Sequence, residues 1–383
     1  MQILGIESSC DETAASIIEI KPAQVNGKAG KNSKIKVLSD VVSSQIKIHQ
    51  QYGGVVPEVA ARNHIKNIIP VVDEALKKAK AKPDIIAVTA GPGLMSSLLI
   101  GAETAKTLAY SWNIPIIGVN HLAGHIYSNW LNASPQFPAL ALIVSGGHTE
   151  LVLMKDHFKF KILGQTRDDA VGEAFDKVAK ILGLEYPGGP IVAKQAEQGD
   201  TKALKMPRPM IHDDNLDFSF SGLKTSVLYQ TQKDLPREIK QNSLHKIKNN
   251  PTKINANSVR NKIISQGEDF KKRISDYCAS FQQAVIDVLI KKTLKATKQH
   301  KVKSVLLAGG VAANKELRQQ LGEKIKLEFP KINYHIPDLK YTTDNATMIA
   351  IAGYYLARPA IGMGGANKYQ KPKKIKVDCN LTL

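Results

Sequence analysis

Residues 140–154 read LALIVSGGHTELVLM, an apolar run, a turn of small polar residues and a second apolar run. The same design occurs at residues 3–20, ILGIESSCDETAASIIEI. Each stretch predicts a β-hairpin, because apolar runs bounded by Gly and Ser are typical of paired strands. Two such hairpins, far apart in one chain, indicate a duplicated architecture.

Strand and helix patterns alternate after each hairpin. Residues 84–89 predict a strand and residues 94–110 have helical spacing. In the second half, residues 304–308 predict a strand, Gly309-Gly310 a turn and residues 312–321 a helix. Strands that alternate with helices favour an α/β fold over an all-α or all-β fold.

Length and composition restrict the class of protein. A chain of 383 residues predicts two domains, since one core rarely grows beyond about 250–300 residues. No apolar run reaches the roughly 18 residues of a membrane span, and the start Met1–Glu7 lacks the basic region of a signal peptide. The three cysteines are widely spaced, which argues against a disulfide framework. A cytoplasmic protein is expected.

The charge is strongly positive. Lys and Arg number 53 and Asp and Glu number 34, a net charge of +19 that attracts polyanions such as nucleic acid. An AT-rich genome would also enrich lysine. Residues 21–36 predict an inserted loop, residues 236–262 a basic insertion, and residues 368–376 a lysine-rich tail. An RNA-facing role or a merely solvated surface would explain each of them.

The pattern His121-Leu122-Ala123-Gly124-His125 is a candidate metal site. Histidines at i and i+4 share one helix face, so both imidazoles can reach one ion. Two unrelated polar histidines are the alternative. The preceding apolar strand favours the metal, because ligands of α/β proteins bind at the carboxyl ends of strands. Leu122 stands where a zincin protease needs its general-base glutamate, which argues against that class.

Three of the glycine pairs in the chain stand at the turns that concern the site: 146–147, 188–189 and 309–310. Adjacent glycines allow a close approach of the backbone to an anion, and Asn314 could bond a ribose or a base. Neither a Walker A loop nor a GxGxxG fingerprint is present. Three pairs in one α/β chain favour nucleotide binding, with plain turns as the alternative.

Acidic residues at strand ends and turns offer further ligands and proton acceptors. One carboxylate could complete a metal site with the histidines, and others could take up protons. Surface solvation or helix capping is the alternative for each, and Asp344-Asn345 has the pattern of an N-cap. The candidates are Asp11, Glu12, Asp168, Asp169, Glu173, Asp176 and Asp344.

Taken together, the motifs resemble the bacterial TsaD/Gcp/Kae1 family of tRNA N6-adenosine threonylcarbamoyltransferases. They occur in family order and cover roughly residues 1–360. The matching segments are GIESSCDET (5–13), YGGVVPE (52–58), TAGPGL (89–94), HLAGH (121–125), VSGGHT (144–149), DDAVGEAFDK (168–177), YPGGP (186–190), FSFSGLKT (218–225), AGGVAAN (308–314) and TDN (343–345).

The resemblance implies a duplicated actin/Hsp70/sugar-kinase-like (ASKHA) α/β fold with an active site between two lobes. We expect an N-terminal lobe at residues 1–133, completed by residues 349–383, and a second lobe at residues 134–348 that carries the 236–262 insertion. The implied activity is transfer of the threonylcarbamoyl group of threonylcarbamoyl-adenylate to N6 of adenosine 37, in tRNAs that read codons beginning with A.

Site residues and partners also follow from the resemblance. It implies one iron ion (Fe²⁺), with zinc as an alternative, held by His121, His125 and Asp344. Asp11 and Glu12 are possible proton-handling residues. Implied partners are tRNA, a paralogous ASKHA subunit and a P-loop ATPase, with no membrane contact. The implied substrate-binding residues are Ile143, Val144, Ser145, Gly146, Gly147, Asp176, Gly189 and Asn314.

Three other functions compete with this interpretation. A metal-dependent glycoprotein endopeptidase is disfavoured by Leu122. A non-catalytic ASKHA scaffold subunit would lack the histidine pair and the aspartate. A sugar or acetate kinase of the same fold would need a sugar pocket, for which the sequence has no independent sign. The chain departs from the family at residues 367–374, where lysines replace an arginine-rich segment and any arginine-specific contact is in doubt.

Overall fold

The computed structural model describes residues 1–21, 24–25, 28–29, 34–234, 268–362 and 375–383. The insertion expected at 236–262 and most of the tail expected at 368–376 lie outside these residues. The first sheet has the strand order β5-β2-β1-β6-β7. Its strands are β1 (Gln2–Glu7), β2 (Glu12–Lys21), β5 (Lys34–Ser44), β6 (Ile85–Gly91) and β7 (Ile116–Asn120), and the short strands β3 (Gln24–Val25) and β4 (Lys28–Ala29) pair separately.

The second sheet repeats that order as β10-β9-β8-β11-β12. Each sheet begins with three antiparallel strands, which are β1, β2 and β5 in the first sheet. Two later strands then extend the sheet on the other side of its first strand and run parallel to that strand. The second set of strands is β8 (Ala139–Val144), β9 (Thr149–Asp156), β10 (Lys159–Gln165), β11 (Ser304–Ala308) and β12 (Asn333–His335). The predicted duplicated α/β fold is confirmed.

Ten α-helices are described. No helix in the described part of the chain combines the length and apolar character that a membrane span requires. The helices are α1 (Ile46–His49), α2 (Pro57–Ala79), α3 (Met95–Trp112), α4 (His121–Tyr127), α5 (Val171–Ile181), α6 (Gly188–Ala196), α7 (Ser221–Asp234), α8 (Glu268–His300), α9 (Lys315–Glu328) and α10 (Ala346–Gly362).

Two sequence predictions need correction. The helix expected at residues 312–321 begins only at Lys315, because residues 310–313 form a 3₁₀ turn and Asn314 caps α9. The loop expected at residues 21–36 is shorter, because β2 and β5 stay paired out to Lys21 and Lys34. The short pair β3–β4 lies within the remaining connection.

Helices α4 and α10 pack between the two sheets. One apolar cluster joins Ile3 of the first sheet, Ala141 of the second, Leu122 of α4 and Ile349 of α10, all at most 2% exposed. Gly5 in β1 has no side chain, which allows the first turn of α10 to lie against the strand at the Ala346 carbonyl. This close packing fixes where α10 begins relative to β1.

The segment 375–383 returns to the edge of the first sheet. Its Asp378 N–H donates to the carbonyl of Ala90 at 2.8 Å, and Ile375 is 2% exposed. The lobe boundaries expected from the sequence, 1–133 with 349–383 and 134–348, stay a proposal. The packing of α10 against β1 and β2 supports it.

Candidate active site

Two separate chain segments bring His121, His125 and Asp344 together. Strand β7 ends at Asn120, whose side chain accepts a hydrogen bond from the Ala123 N–H at 3.1 Å and so starts α4 at His121. Asn345 caps α10 by accepting from the Met348 N–H at 2.9 Å. The cap expected at Asp344-Asn345 is therefore Asn345, and the Asp344 carboxylate is left to face the histidines.

The ligand atoms of these residues all lie within 4.8 Å of one another. Oδ1 of Asp344 is 3.4 Å from Nε2 of His121 and 3.1 Å from Nε2 of His125. The shorter contact lacks hydrogen-bond geometry, so both ring nitrogens of His125 are buried without a hydrogen-bond partner among the described residues. Tetrahedral ligands about 2.0–2.2 Å from one ion are spaced about 3–3.5 Å apart, which matches the distances from Asp344 to each histidine, so Asp344 and either histidine fit one metal ion.

Glu7 orients His121, a role that the sequence analysis missed. Its Oε2 lies 3.0 Å from Nδ1 of His121 and accepts from Thr89 Oγ1 at 2.6 Å, while Oε1 accepts from the Ser9 N–H at 2.5 Å. A carboxylate on Nδ1 fixes the tautomer that presents Nε2 to a metal. The signal was an acid that ends the apolar strand β1.

The charges around His121 favour a cation. Burial alone would lower the pKa of His121, but the carboxylates of Asp344 and Glu7 raise it well above its usual value. Burial opposes ionisation of Asp344 as well, yet His121 and His125 hold the pKa of its carboxyl well below the usual range. The centre therefore favours positive charge, whether a proton on His121 or a metal ion supplies it.

Asp11 and Glu12 lie beside this centre, at the turn between β1 and β2. His64 of α2 supports the turn, with Nδ1 2.7 Å from Thr13 Oγ1 and Nε2 2.9 Å from the carbonyl of Cys10. Burial, followed by the charges of Asp344 and Asp11, raises the pKa of Glu12 to about 10. Without a metal, its carboxyl is therefore protonated at neutral pH.

The loop Ser145–His148 joins β8 to β9 and has the shape of a tight turn. Ser145 N–H donates to the His148 carbonyl at 2.9 Å, and Ser145 Oγ accepts from the His148 N–H at 3.1 Å. A Cβ placed on Gly146 or Gly147 would meet no atom within 4 Å. The loop thus exposes its backbone to open space. Ile143 and Val144, which precede it in β8, are fully buried and anchor it to the core.

The remaining predicted substrate residues have different surroundings. Asp176 accepts from the Gly188 N–H at 2.7 Å at the start of α6, and burial raises the pKa of its carboxyl to about 6. Gly189 faces open space. Both ends of the Asn314 amide are used inside the protein, by the Leu317 N–H at 3.0 Å and by Gln282 Oε1 at 2.7 Å. The amide nitrogen keeps a second N–H and the amide oxygen a second lone pair, so one hydrogen bond from each remains available for a ribose or a base.

Three predicted acids serve the local structure instead of the metal centre. Asp168 accepts from the hydroxyls of Ser219 and Ser221 at 2.5 and 2.6 Å and so organises the start of α7. Asp169 and Glu173 pair with Lys177 at 2.6 and 2.8 Å. None of them belongs to the ligand cluster.

A cleft of about 210 Å³ lies next to the centre. Its walls come from the second sheet, from α4, from the turn after β6 and from the C-terminal segment. Burial and the charges of His121 and His125 lower the pKa of His148 to about 4, so His148 lines this cleft as a neutral imidazole. The lining residues are Pro92, Leu122, His148, Glu150, Ile162, Gln165, Cys379, Asn380, Leu381, Thr382 and Leu383.

The chain is similar to one family over most of its length. The profile of TsaD, tRNA N6-adenosine threonylcarbamoyltransferase, matches residues 36–351. A protein of that name from Geobacillus kaustophilus is 47% identical over 357 residues, 92% of this chain and 91% of the relative. Those from Listeria innocua and Bacillus subtilis are each 48% identical, over 92% of this chain and 90% of the relative.

Solved structures of other proteins match at lower similarity. Component A of the Acidaminococcus fermentans (R)-2-hydroxyglutaryl-CoA dehydratase is 13% identical with a TM-score of 0.48, covering 95% of this chain and 100% of that one. Full-length HypF is 15% identical with a TM-score of 0.46, covering 94% and 56%. The assignment to a family does not depend on them.

Proposed function

The chain belongs to the tRNA N6-adenosine threonylcarbamoyltransferase family, and from this premise we propose that His121, His125 and Asp344 mark its active site. The protein is an acyltransferase that modifies tRNA by placing a threonylcarbamoyl group on N6 of adenosine 37. The observation that carries the placement is the convergence of these three ligand atoms within 4.8 Å from distant parts of the chain.

We infer that this centre holds one iron ion per chain, with zinc as the alternative, because imidazole and carboxylate ligands suit both metals. A bound ion supplies a Lewis acid for a carbonyl or carboxylate of the donor. Glu7 keeps His121 in the tautomer and orientation that coordination needs. The alternative of a metalloprotease fails on Leu122, which is 2% exposed in the apolar core and supplies no general base.

The reaction does not require a covalent intermediate with the protein. The adenylate is a mixed anhydride and is already activated. N6 of the adenosine forms a bond to the carbamoyl carbon, the bond from that carbon to the phosphate oxygen breaks, AMP leaves, and N6 loses one proton. The protein therefore contributes positioning and charge stabilisation rather than a nucleophile.

The donor is proposed to lie along the open glycine turns. The exposed backbone of Gly146 and Gly147 can approach the phosphate without a steric barrier. Asp176 beside Gly189, at the start of α6, offers a carboxylate oxygen for a ribose hydroxyl. Asn314, which also caps α9, offers its second N–H and second lone pair to the ribose or the base. The proposed substrate residues thus remain Ile143 to Gly147, Asp176, Gly189 and Asn314.

Asp11 and Glu12 are proposed to handle the proton that leaves N6. Glu12 is half-buried and its pKa is about 10 partly because Asp344 is ionised nearby. A cation on Asp344 opposes that repulsion, so metal binding would lower the pKa of Glu12 toward the range where a carboxyl exchanges protons at neutral pH.

The further partners are proposed from family membership. They are threonylcarbamoyl-adenylate, a paralogous ASKHA subunit and a P-loop ATPase, in the cytoplasm. A net charge of +19 suits a tRNA substrate, because phosphate contacts supply most sequence-independent affinity.

The test is nucleoside mass spectrometry of tRNA from cells depleted of this protein. Threonylcarbamoyladenosine should disappear and return with a plasmid copy of the wild type. A plasmid carrying His125→Ala should not restore it, whereas Glu328→Gln, an exposed change on α9, should. Unchanged levels of the modified nucleoside after depletion would contradict the assigned reaction.

A further inference from the structure

Glu150 lies in the wall of the 210 Å³ cleft and is only 8% exposed. Its Oε2 is buried and has no hydrogen-bond partner among the described residues. An unpaired buried carboxylate oxygen costs about 1–3 kcal/mol or more, so the position is unfavourable unless a ligand supplies a donor. Burial also raises the pKa of this carboxyl.

We propose that this cleft is the acceptor subsite, which receives the adenine ring of nucleotide 37 with Glu150 accepting a hydrogen bond from its exocyclic amino group. This inference rests on the proposed function, since it names where the second substrate of that reaction binds.

The cleft has the size and chemistry of a base-binding pocket. Sites for drug-sized ligands have about 300–1,000 Å³, so 210 Å³ suits a smaller group such as one nucleobase. Pro92, Leu122 and Ile162 give it apolar walls, and His148 adds a neutral aromatic ring. Proteins read an unstacked RNA base with apolar or aromatic walls and a few polar groups at its edge.

Glu150 selects the acceptor over the donor. The donor carries an anionic phosphate and an anionic threonyl carboxylate, and a carboxylate in the wall would repel both. Adenine has no negative charge and presents an N–H₂ donor. In either protonation state of Glu150 at least one oxygen accepts, and the acid form also donates, which suits N1 of the ring.

The cleft adjoins the metal centre without being part of it. Leu122 lies in α4 between the two histidine ligands, and His148 is close enough for their charges to lower its pKa. The proposal therefore places the adenine amino group in a cleft that shares α4 with the two histidine ligands. The short sequence distance from Gly147 to Glu150 links the proposed donor loop to the acceptor wall.

The C-terminal segment forms the wall of the cleft on the side of the first sheet. It is anchored by the Gly93 N–H, which donates to the Cys379 carbonyl at 3.3 Å, and by Asn120 Nδ2, which donates to the Leu381 carbonyl at 3.3 Å. Asn120 also caps α4, so the same side chain positions both the C-terminal wall of the cleft and the helix that carries the two histidines.

The experiment measures single-turnover transfer by the enzyme assembled with its partner subunits. Threonylcarbamoyl-adenylate is saturating and the acceptor is a tRNA transcript with adenosine at position 37. Glu150→Leu should slow transfer by at least about tenfold, the cost of a hydrogen bond to a carboxylate. Ile162→Trp, which fills the cleft and leaves Glu150 in place, should slow it comparably. Glu150→Gln keeps an acceptor and should lose less.

Three control measurements separate this site from the donor site. Metal content, affinity for the adenylate and affinity for tRNA should stay within about twofold of wild type, since phosphate contacts dominate tRNA binding. Glu328→Gln, which removes a comparable charge from exposed α9, should transfer at the wild-type rate.

The inference is overturned if folded Glu150→Leu or Ile162→Trp transfers at the wild-type rate. It is also overturned if the loss of rate is matched by an equal loss of adenylate affinity, because the cleft would then hold the donor. A wild-type enzyme that transfers nothing in this assay would contradict the proposed function instead, so the two failures are distinguishable.

Discussion

Oε2 of Glu7 lies 3.0 Å from Nδ1 of His121, although 114 positions separate the two residues in the chain. Glu7 ends the central strand of the first sheet and is fully buried, and His121 begins α4. Thr89, from the neighbouring strand β6, donates to the same carboxylate at 2.6 Å. The sheet itself therefore sets the orientation of one proposed metal ligand.

Glu7→Ala is expected to lower metal affinity or transfer activity by about 10–100-fold, the usual effect of removing an orienting carboxylate. Glu7→Gln should lose less, because its amide oxygen can still accept from Nδ1–H. Metal titration of both variants checks this. Glu19→Gln, a partly exposed change on strand β2, is the control. Equal affinity in Glu7→Ala and wild type would show that His121 needs no orientation.

His125→Ala is expected to abolish bound metal and transfer while the fold persists. Neither ring nitrogen of His125 makes a hydrogen bond to the described residues. Its removal therefore breaks no hydrogen bond on which the fold depends. Elemental analysis measures the metal and circular dichroism the fold. Full metal content in this variant would refute the ligand assignment.

Gly5→Ala is expected to destabilise the protein by about 1–3 kcal/mol, the typical cost of overpacking a core. A methyl group there would collide with the Ala346 carbonyl and displace the start of α10, and with it Asp344. Urea unfolding and metal titration should both register the change. Gly222→Ala on α7, where the nearest atom would be 3.9 Å away, should leave both unchanged.

Asp176 is expected to make stability fall as pH rises. Burial raises the folded-state pKa of its carboxyl from 3.8 to about 6. The folded state thus holds this proton more tightly than the unfolded chain does, so the stabilisation is complete below about pH 4 and is lost by about pH 6. Relative to Asp176→Asn, wild type should lose at most about 1.4 kcal/mol of unfolding free energy per pH unit in that window.

Urea unfolding of wild type and Asp176→Asn at several pH values from 4 to 7 measures this difference. The asparagine retains an acceptor for the Gly188 N–H, so the comparison isolates the charge. Parallel curves for the two proteins would mean that Asp176 titrates as it does in the unfolded chain.

Hydrophobic periodicity and residue spacing predicted most of the secondary structure around the site. Alternating apolar runs predicted both hairpins, and the i, i+4 histidines after an apolar strand predicted a shared helix face. The start of α9 was predicted wrongly, because residues 310–313 suit a 3₁₀ turn as well as an α-helix. Local pattern does not distinguish the two when a capping Asn314 follows.

Long-range contacts were beyond a single sequence. In the sequence Glu7 is only the polar residue at the end of a strand. The fold shows that it contacts His121. Glu150 reads as one acid in a strand, and only the folded β9 and C-terminal segment show it buried in the wall of a cleft. Asp344 was identified through the family resemblance, since its spacing from α4 along the chain carries no local signal.

The wall formed by the C-terminal segment also makes the cleft accessible to chemical labelling. Among the three cysteines, burial raises the pKa of Cys278 to about 12, and burial together with Asp11 raises that of Cys10 well above its usual value. Alkylation requires the thiolate, so both should react slowly. Cys379 is half-buried and lines the cleft. A small maleimide should therefore modify Cys379 first, and the rate of that modification reports directly on whether the cleft is filled.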